Sequence, residues 1–192
     1  MKPVPSELTM KLMDGLEAQK DGHGIDMSID DLAKSSGVPR ATLYYYFAGK
    51  EDLVQFYVGE MVRRANESVA KSIEGGGTPV ARLEAVLRSM MRTYAEYPRM
   101  CVEMSVAIKF LQNYGPVMAE MERGVLAPMV ALLEEGTANG DFDVPDPMSA
   151  AIAMTGGMHM LATMDIVHYG KLDADARSDV LIPQMMRGLL AR

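Results

Sequence analysis

The chain has 192 residues, 48% of them hydrophobic, with a formal charge of −7 and a pI near 5.0. That length can bury one or two sizeable cores, while the acidic balance excludes a protein that coats nucleic acid through many Lys and Arg facing phosphates. A single cysteine, Cys101, excludes an internal disulfide and a multi-cysteine metal site, and the absence of about 18 uninterrupted apolar residues argues against a membrane protein. The N-terminal MKPVPSELTMKLMDG has no basic run leading into an apolar stretch, so the expected location is cytoplasmic.

Helical periodicity dominates in chain order, and alternation never persists, so the predicted class is all-α. A first helix is expected over Ser6 to Ala18, with Ser6 as N-cap and Leu8, Leu12 and Leu16 on one stripe, stopping in DGHG. Ser28 caps a second helix, with Asp30 and Asp31 in the first turn where the macrodipole favours acids, and Ser36-Gly37 ends it. Val38, Leu43 and Phe47 form the inward face of a short third helix. Lys50 to about Glu74 reads as one long helix with Leu53, Phe56, Tyr57, Met61, Ala65 and Val69 on a stripe. The run Gly75-Gly76-Gly77 is the clearest break. After it come Val80 to Glu96, Met100 to Tyr114, Val117 to Asn139, Pro147 to Tyr169 and Ala174 to Leu190, with kinks expected at Pro128 and Pro183.

The second and third helices, joined by a turn around Gly37, meet the requirements of a helix-turn-helix. Gly37 can take positive φ, Ala33 is small at the crossing, and Val38 and Leu43 plug the angle. Four neighbouring aromatics, Tyr44 to Phe47, cannot all face one core, because a helix turns about 100° per residue. If Leu43 and Phe47 are buried, Arg40, Thr42, Tyr44, Tyr45 and Tyr46 face outward, where phenols can reach phosphate oxygens and pack on sugar or thymine methyls.

The run SIDDLAKSSGVPRATLYYYFAGKEDL, from Ser28 to Leu53, resembles the helix-turn-helix signature of the tetracycline-repressor (TetR) family of bacterial transcription regulators. All its parts occur in order: the second helix, the GV turn, the TLY core, the closing aromatic and the KEDL opening of the fourth helix. The resemblance implies an N-terminal three-helix DNA-binding domain (1–52), joined by the long helix to a C-terminal helical effector-binding and dimerisation domain (53–192). The implied partners are a double-stranded DNA operator, a small-molecule effector and a second copy of the chain, with no membrane and no cofactor. Carried over by position, Ser28 touches phosphate at its helix start, and Pro39, Arg40, Ala41 and Thr42 open the recognition helix. Arg40 alone can grip guanine O6 and N7 bidentately. Tyr44, Tyr45 and Tyr46 meet backbone or base edges, and Lys50 meets phosphate.

Fourteen of the 19 methionines lie from Met90 onward, which suits a deformable cavity as well as core filling. The expected cavity lining is Met90, Met91, Tyr94, Met104, Ile108, Leu111, Met118, Met121 and Leu126, and the expected effector is largely apolar. The last two helices carry small and soft residues on several faces. Ala153, Gly156, Gly157, Met160, Met164, Leu181, Met185 and Leu189 are the expected dimer face. His159 and His168 read as interface or core histidines, because neither their spacing nor that of Asp165 suits zinc. Glu103, Gln112, Asn113 and Tyr114 read as exposed, and Cys101 as a buried structural thiol. No phosphate loop, nucleophile elbow or Ser/His/Asp order is readable, so no enzymatic activity and no metal are expected. The reading is a ligand-released repressor acting on a palindromic operator. The alternative is a helical small-molecule carrier or adaptor with a non-functional helix-turn-helix, motivated by the acidic N-terminal part.

Overall fold

The computed structural model describes residues 2–18, 28–99, 101–102 and 115–191. Helix α1 is Ser6–Glu17, and its N-cap is Pro5 rather than Ser6. The reason is conformational: Pro5 holds an extended ψ of 147° and its carbonyl accepts the first helical bond from Thr9 at 2.8 Å, which draws Ser6 into the first turn. The predicted stop in DGHG lies outside the described residues. Ser28 Oγ accepts from the Asp31 amide at 3.1 Å and so caps α2, Ile29–Ser36, which ends at Gly37 with φ 67°. Gly15 of α1 has a reason to be glycine, because a Cβ there would lie 2.6 Å from Ser36 Cβ and 2.7 Å from its Cα. The two helices touch backbone to backbone.

Helix α3, Arg40–Tyr46, begins after Pro39 and buries Leu43, while Phe47 follows it into the core and meets Phe56 edge to face at 5.3 Å. Helix α4, Lys50–Glu74, starts at Gly49, which has no capping side chain; Asp52 accepts from the Ala48 amide at 2.8 Å instead. The N-terminal core gathers Leu12, Leu16, Leu32, Val38 and Leu43 around Leu53, Phe56, Tyr57 and Met61 of α4. Further along the same helix, Val69 belongs to the C-terminal core with Leu83, Leu87, Met91 and Leu133. One helix is therefore shared by both cores.

Thr78 caps α5, Pro79–Glu96, by accepting from the Ala81 amide at 3.2 Å. The single helix expected over Val117 to Asn139 is instead α6, Gly115–Met121, a π-helical turn at Glu122–Leu126, and α7, Ala127–Ala138. The widened turn lets the Ala127 amide reach back to the Glu122 carbonyl just before Pro128, which has no amide to offer. It also brings Gly124 against α4, where a Cβ would overlap the Asn66 amide, and Asn66 Nδ2 donates to the Glu120 carbonyl at 3.3 Å.

Asp146 caps α8, Pro147–Tyr169, and Asp173 caps α9, Ala174–Arg187, each accepting from the amide three residues on at 3.0 Å. Helix α9 runs through Pro183 and stops short of the expected Leu190, whose backbone instead bridges Phe142. Asp165 does not pair with His168. Arg177 of α9 takes both its oxygens, at 2.5 and 2.7 Å, and His168 Nδ1 lies 2.9 Å from the Met164 carbonyl. By length and composition α8 alone is apolar enough to cross a membrane, among the described residues. Its buried face, Ala151, Met154, Met158 and Ala162, lies in the C-terminal core.

Candidate functional site

On the helix-turn-helix and the start of α4, Ser28, Pro39, Arg40, Ala41, Tyr44, Tyr45 and Lys50 are exposed and Thr42 is half-buried. Tyr46 departs from expectation: it is half-buried against the N-terminal core, because positions 43, 46 and 47 share one helical face. Tyr45 meets its ring edge to face at 5.0 Å, and Lys2 Nζ sits 3.5 Å from the Tyr45 centroid. The aromatic run thus divides into two rings for solvent and two for the core. Arg40 is not idle, since its Nη2 lies 2.6 Å from the Asp30 carboxylate, with the two side chains 62% and 39% exposed. The Ser28 hydroxyl is also engaged, donating to Asp31 Oδ2 at 2.5 Å, and this bond holds the Asp31 carboxyl below the usual range.

The C-terminal helices and α4 border a partly open cavity of about 170 Å³. Helix α5 contributes Met90, Thr93 and Tyr94, and the segment around the π turn contributes Met121, Val125 and Leu126. Two further walls add residues that the sequence reading does not name as lining: Met61, Val62 and Ala65 of α4, the helix expected to wall this domain, and Thr155, Gly156 and His159 of α8. Of the expected lining, Met90, Tyr94, Met121 and Leu126 are therefore present. Met91, one position from Met90, turns 100° away into the C-terminal core and is fully buried, and Met118 is half-buried without facing the cavity. Met104, Ile108 and Leu111 lie outside the described residues, as do Glu103, Gln112, Asn113 and Tyr114.

The polar groups of this wall are few. Thr93 and Thr155 donate their hydroxyls to backbone carbonyls of Ser89 and Ala151 at 3.0 and 2.9 Å. His159 Nε2 lies 2.8 Å from the Cys101 carbonyl, and its ring stands edge to face with Tyr94 at 5.7 Å. Burial lowers the His159 pKa against the opposing pull of that carbonyl, which favours the neutral ring, and because a carbonyl only accepts, the Nε2 atom carries the proton. Burial also raises Tyr94 and pushes the Cys101 thiol up to about 11. The thiol lies 3.5 Å from Thr163 Oγ1.

A polar strip links this region to the N-terminal helices. Glu17, at the end of α1, accepts from Tyr57 Oη at 2.8 Å and from the Arg99 amide at 3.2 Å, while Arg99 Nη1 donates to the Leu16 carbonyl at 3.2 Å. Next to it Arg64 donates to Tyr97 Oη and to Glu60, which also binds Arg63. Burial alone would raise the Glu60 pKa; the two guanidiniums outweigh it and hold the carboxyl low. The strip ends two residues before Cys101, the backbone partner of the cavity's His159.

On the outside of α8, Ile152, Met160, Met164 and Val167 are exposed, and so is Val180 of α9. Ala153, Gly156 and Gly157 are exposed on the same helix, with the Cβ position of Gly157 lying 3.5 Å from Met185 Cε. Leu181, Met185 and Leu189 are half-buried, leaning on the C-terminal core.

Two family models match: one for bacterial regulatory proteins of the tetR family over residues 19–55, and one for the tetracyclin repressor-like C-terminal domain over residues 76–163. The HTH-type transcriptional regulator EthR of Mycolicibacterium smegmatis is 24% identical over 118 residues, covering 59% of this chain and 54% of the relative. The chain thus spans about half the length of the curated relatives it matches. The fatty acid degradation regulator FadR of Bacillus halodurans superposes with a TM-score of 0.78 over 100% of both chains at 19% identity. FadR of Bacillus subtilis, solved with stearoyl-CoA, superposes with a TM-score of 0.77 over 93% of this chain and 98% of that one at 20% identity.

Proposed function

Because the chain belongs to the TetR family of bacterial transcription regulators, we propose that it is a repressor that holds a palindromic operator as a homodimer and leaves it when an apolar effector fills the cavity. Residues 1–52 form the reading head and 53–192 the effector-binding and dimerisation domain, with α4 serving both. Arg40 reads guanine, and Ser28, Pro39, Ala41, Thr42, the exposed tyrosines and Lys50 position the head on the backbone. The work is done in the cytoplasm, where the DNA is, and the chain carries out no catalysis.

The observation that carries this reading is the double membership of α4. Its Met61, Val62 and Ala65 line the cavity, while Leu53 and Phe56 sit in the core of the reading head. Lys50 and Ala65 are about 22 Å apart along the helix axis. A tilt of about 5° at the cavity end therefore moves the head by about 2 Å, enough to spoil simultaneous contact with two half-sites about 34 Å apart. The Glu17–Arg99–Tyr57 strip transmits the same displacement to α1. The effector has to bind the DNA-free arrangement better than the DNA-bound one, and only that difference drives release.

The exposed apolar face of α8 and α9 supports the dimer, since a two-fold axis there covers Met160, Met164 and Val180 with their own copies. The effector is largely apolar, in keeping with the methionine-rich wall and with the hydrocarbon chain of the stearoyl-CoA held by the Bacillus subtilis FadR neighbour. The test is a footprint of purified protein on the intergenic DNA beside its gene, at several salt concentrations. A specific protected site, with affinity falling as salt rises, is the expected result. No protected site at any salt overturns the repressor reading and leaves a helical carrier.

A further inference from the structure

We propose that Tyr94 and the Nδ1 atom of His159 form the specificity anchor of the cavity, selecting a mostly apolar molecule that bears a neutral hydroxyl group over its carboxylate counterpart. The inference rests on the cavity being the effector site.

The argument is a count of hydrogen-bonding valences on the wall. The two threonine hydroxyl protons are spent on carbonyls of their own helices. His159 Nε2 spends its proton on the Cys101 carbonyl, which leaves Nδ1 as a lone-pair acceptor. Among the described residues neither Nδ1 nor the Tyr94 hydroxyl makes a hydrogen bond, and both side chains belong to the cavity lining. Both belong to rings that touch edge to face on one wall. Besides the lone pairs of the two threonine oxygens, the wall therefore offers one ring-nitrogen acceptor and a single side-chain proton still to be given, that of the phenol.

A ligand hydroxyl satisfies both, donating to Nδ1 and accepting from the phenol. A carbonyl or ether satisfies only the phenol and faces the Nδ1 lone pair. A carboxylate faces that lone pair with its charge, and no Lys or Arg is among the described lining residues to compensate it. A hydrocarbon fills the volume but leaves both polar atoms dry, which costs affinity when they are desolvated. The cavity, about 170 Å³, is close to the size that holds a single aromatic ring in an apolar protein interior.

The probes are toluene, benzyl alcohol and benzoate, which share one ring and differ in the head group, measured by isothermal titration against the DNA-free protein and its Tyr94→Phe variant. Loss of the phenol should weaken benzyl alcohol about tenfold, as expected for one hydrogen bond of a buried group, while toluene binds the variant as well or better. Benzoate should be the weakest of the three on the wild type. His159→Leu should act like Tyr94→Phe on the alcohol, and Tyr94→Phe decides the matter if the histidine variant does not fold. Equal changes for toluene and benzyl alcohol, or benzoate as the tightest probe, overturn the anchor and leave the effector cavity standing. If none of the probes binds up to its solubility limit, the cavity is not a ligand site and the effector reading falls with the anchor.

Discussion

The ion pair between Arg40 and Asp30 sets the terms on which the recognition helix can meet a base. With Nη2 2.6 Å from the carboxylate and side chains 62% and 39% exposed, this is a surface pair, and such pairs contribute about 0.2 to 1 kcal/mol. An arginine that grips guanine must leave the carboxylate, so Asp30→Asn should release that amount at each half-site. For a dimer the gain is about 0.4 to 2 kcal/mol, or about 2- to 30-fold in operator affinity. Fluorescence anisotropy with the footprinted operator reads it directly. The gain should shrink at high salt, and circular dichroism should show the fold intact, since loss of a first-turn acid costs α2 only about 0.3 to 1 kcal/mol. In an Arg40→Ala background, itself weakened by about 1 to 3 kcal/mol per half-site, the Asp30→Asn step should change affinity less than about twofold. A folded Asp30→Asn protein that binds its operator more weakly, or an equal gain with and without Arg40, refutes the reasoning.

Lys50→Ala should weaken all DNA sequences alike and flatten the salt dependence by about one unit per half-site, read by anisotropy on specific and random duplexes. Gly15→Ala should force α1 off α2 through the Ser36 backbone, costing about 1 to 3 kcal/mol and operator binding, while titration of the cavity with benzyl alcohol is unchanged. Met185→Glu or Gly157→Arg should give monomers or insoluble chain in light scattering, and a soluble Met185→Glu dimer with full operator affinity contradicts the interface. Cys101, held up to about 11 when folded against 9.0 for the free thiol, adds stability that is complete below pH 9 and lost as pH rises toward 11. Cys101→Ala should reduce the slope of denaturant midpoints between pH 9 and 11, leaving the part that the buried Tyr94 contributes at higher pH, and the wild-type thiol should resist aromatic disulfide reagents at pH 8 until the protein unfolds.

The reading head was legible because its signals are local. Ser28 and Gly37 bound α2 by chemistry that needs no partner, and the start and end of α4 follow from Gly49 and the glycine run after Glu74. Legibility fails where a position depends on what lies across from it. Tyr46 reads like its two neighbours until α4 is packed beneath it. The π turn at Glu122–Leu126 answers both to Pro128 and to Asn66 on another helix, and only Pro128 is visible in the string. Helix α8 is apolar nearly all round, so its pattern does not separate the face of Thr155 and His159, which looks into the cavity, from that of Met160 and Met164, which looks out. His159 was accordingly read as interface or core.

Sharing α4 between two cores also governs how this protein can recombine with its relatives. A chimera that exchanges reading heads at the glycine before Lys50 would import a foreign α1–α3 onto resident Leu53, Phe56, Tyr57 and Met61, side chains shaped for another hydrophobic partner. A graft that fits must carry those four residues across and splice inside a continuous helix, between Met61 and Val69. It must also keep Glu17 matched to Arg99, which arrives from the other parent. Operator specificity in such a fold is thus inherited together with half of a helix, so new pairings of operator and effector arise more readily by point substitution on α3 than by shuffling whole modules.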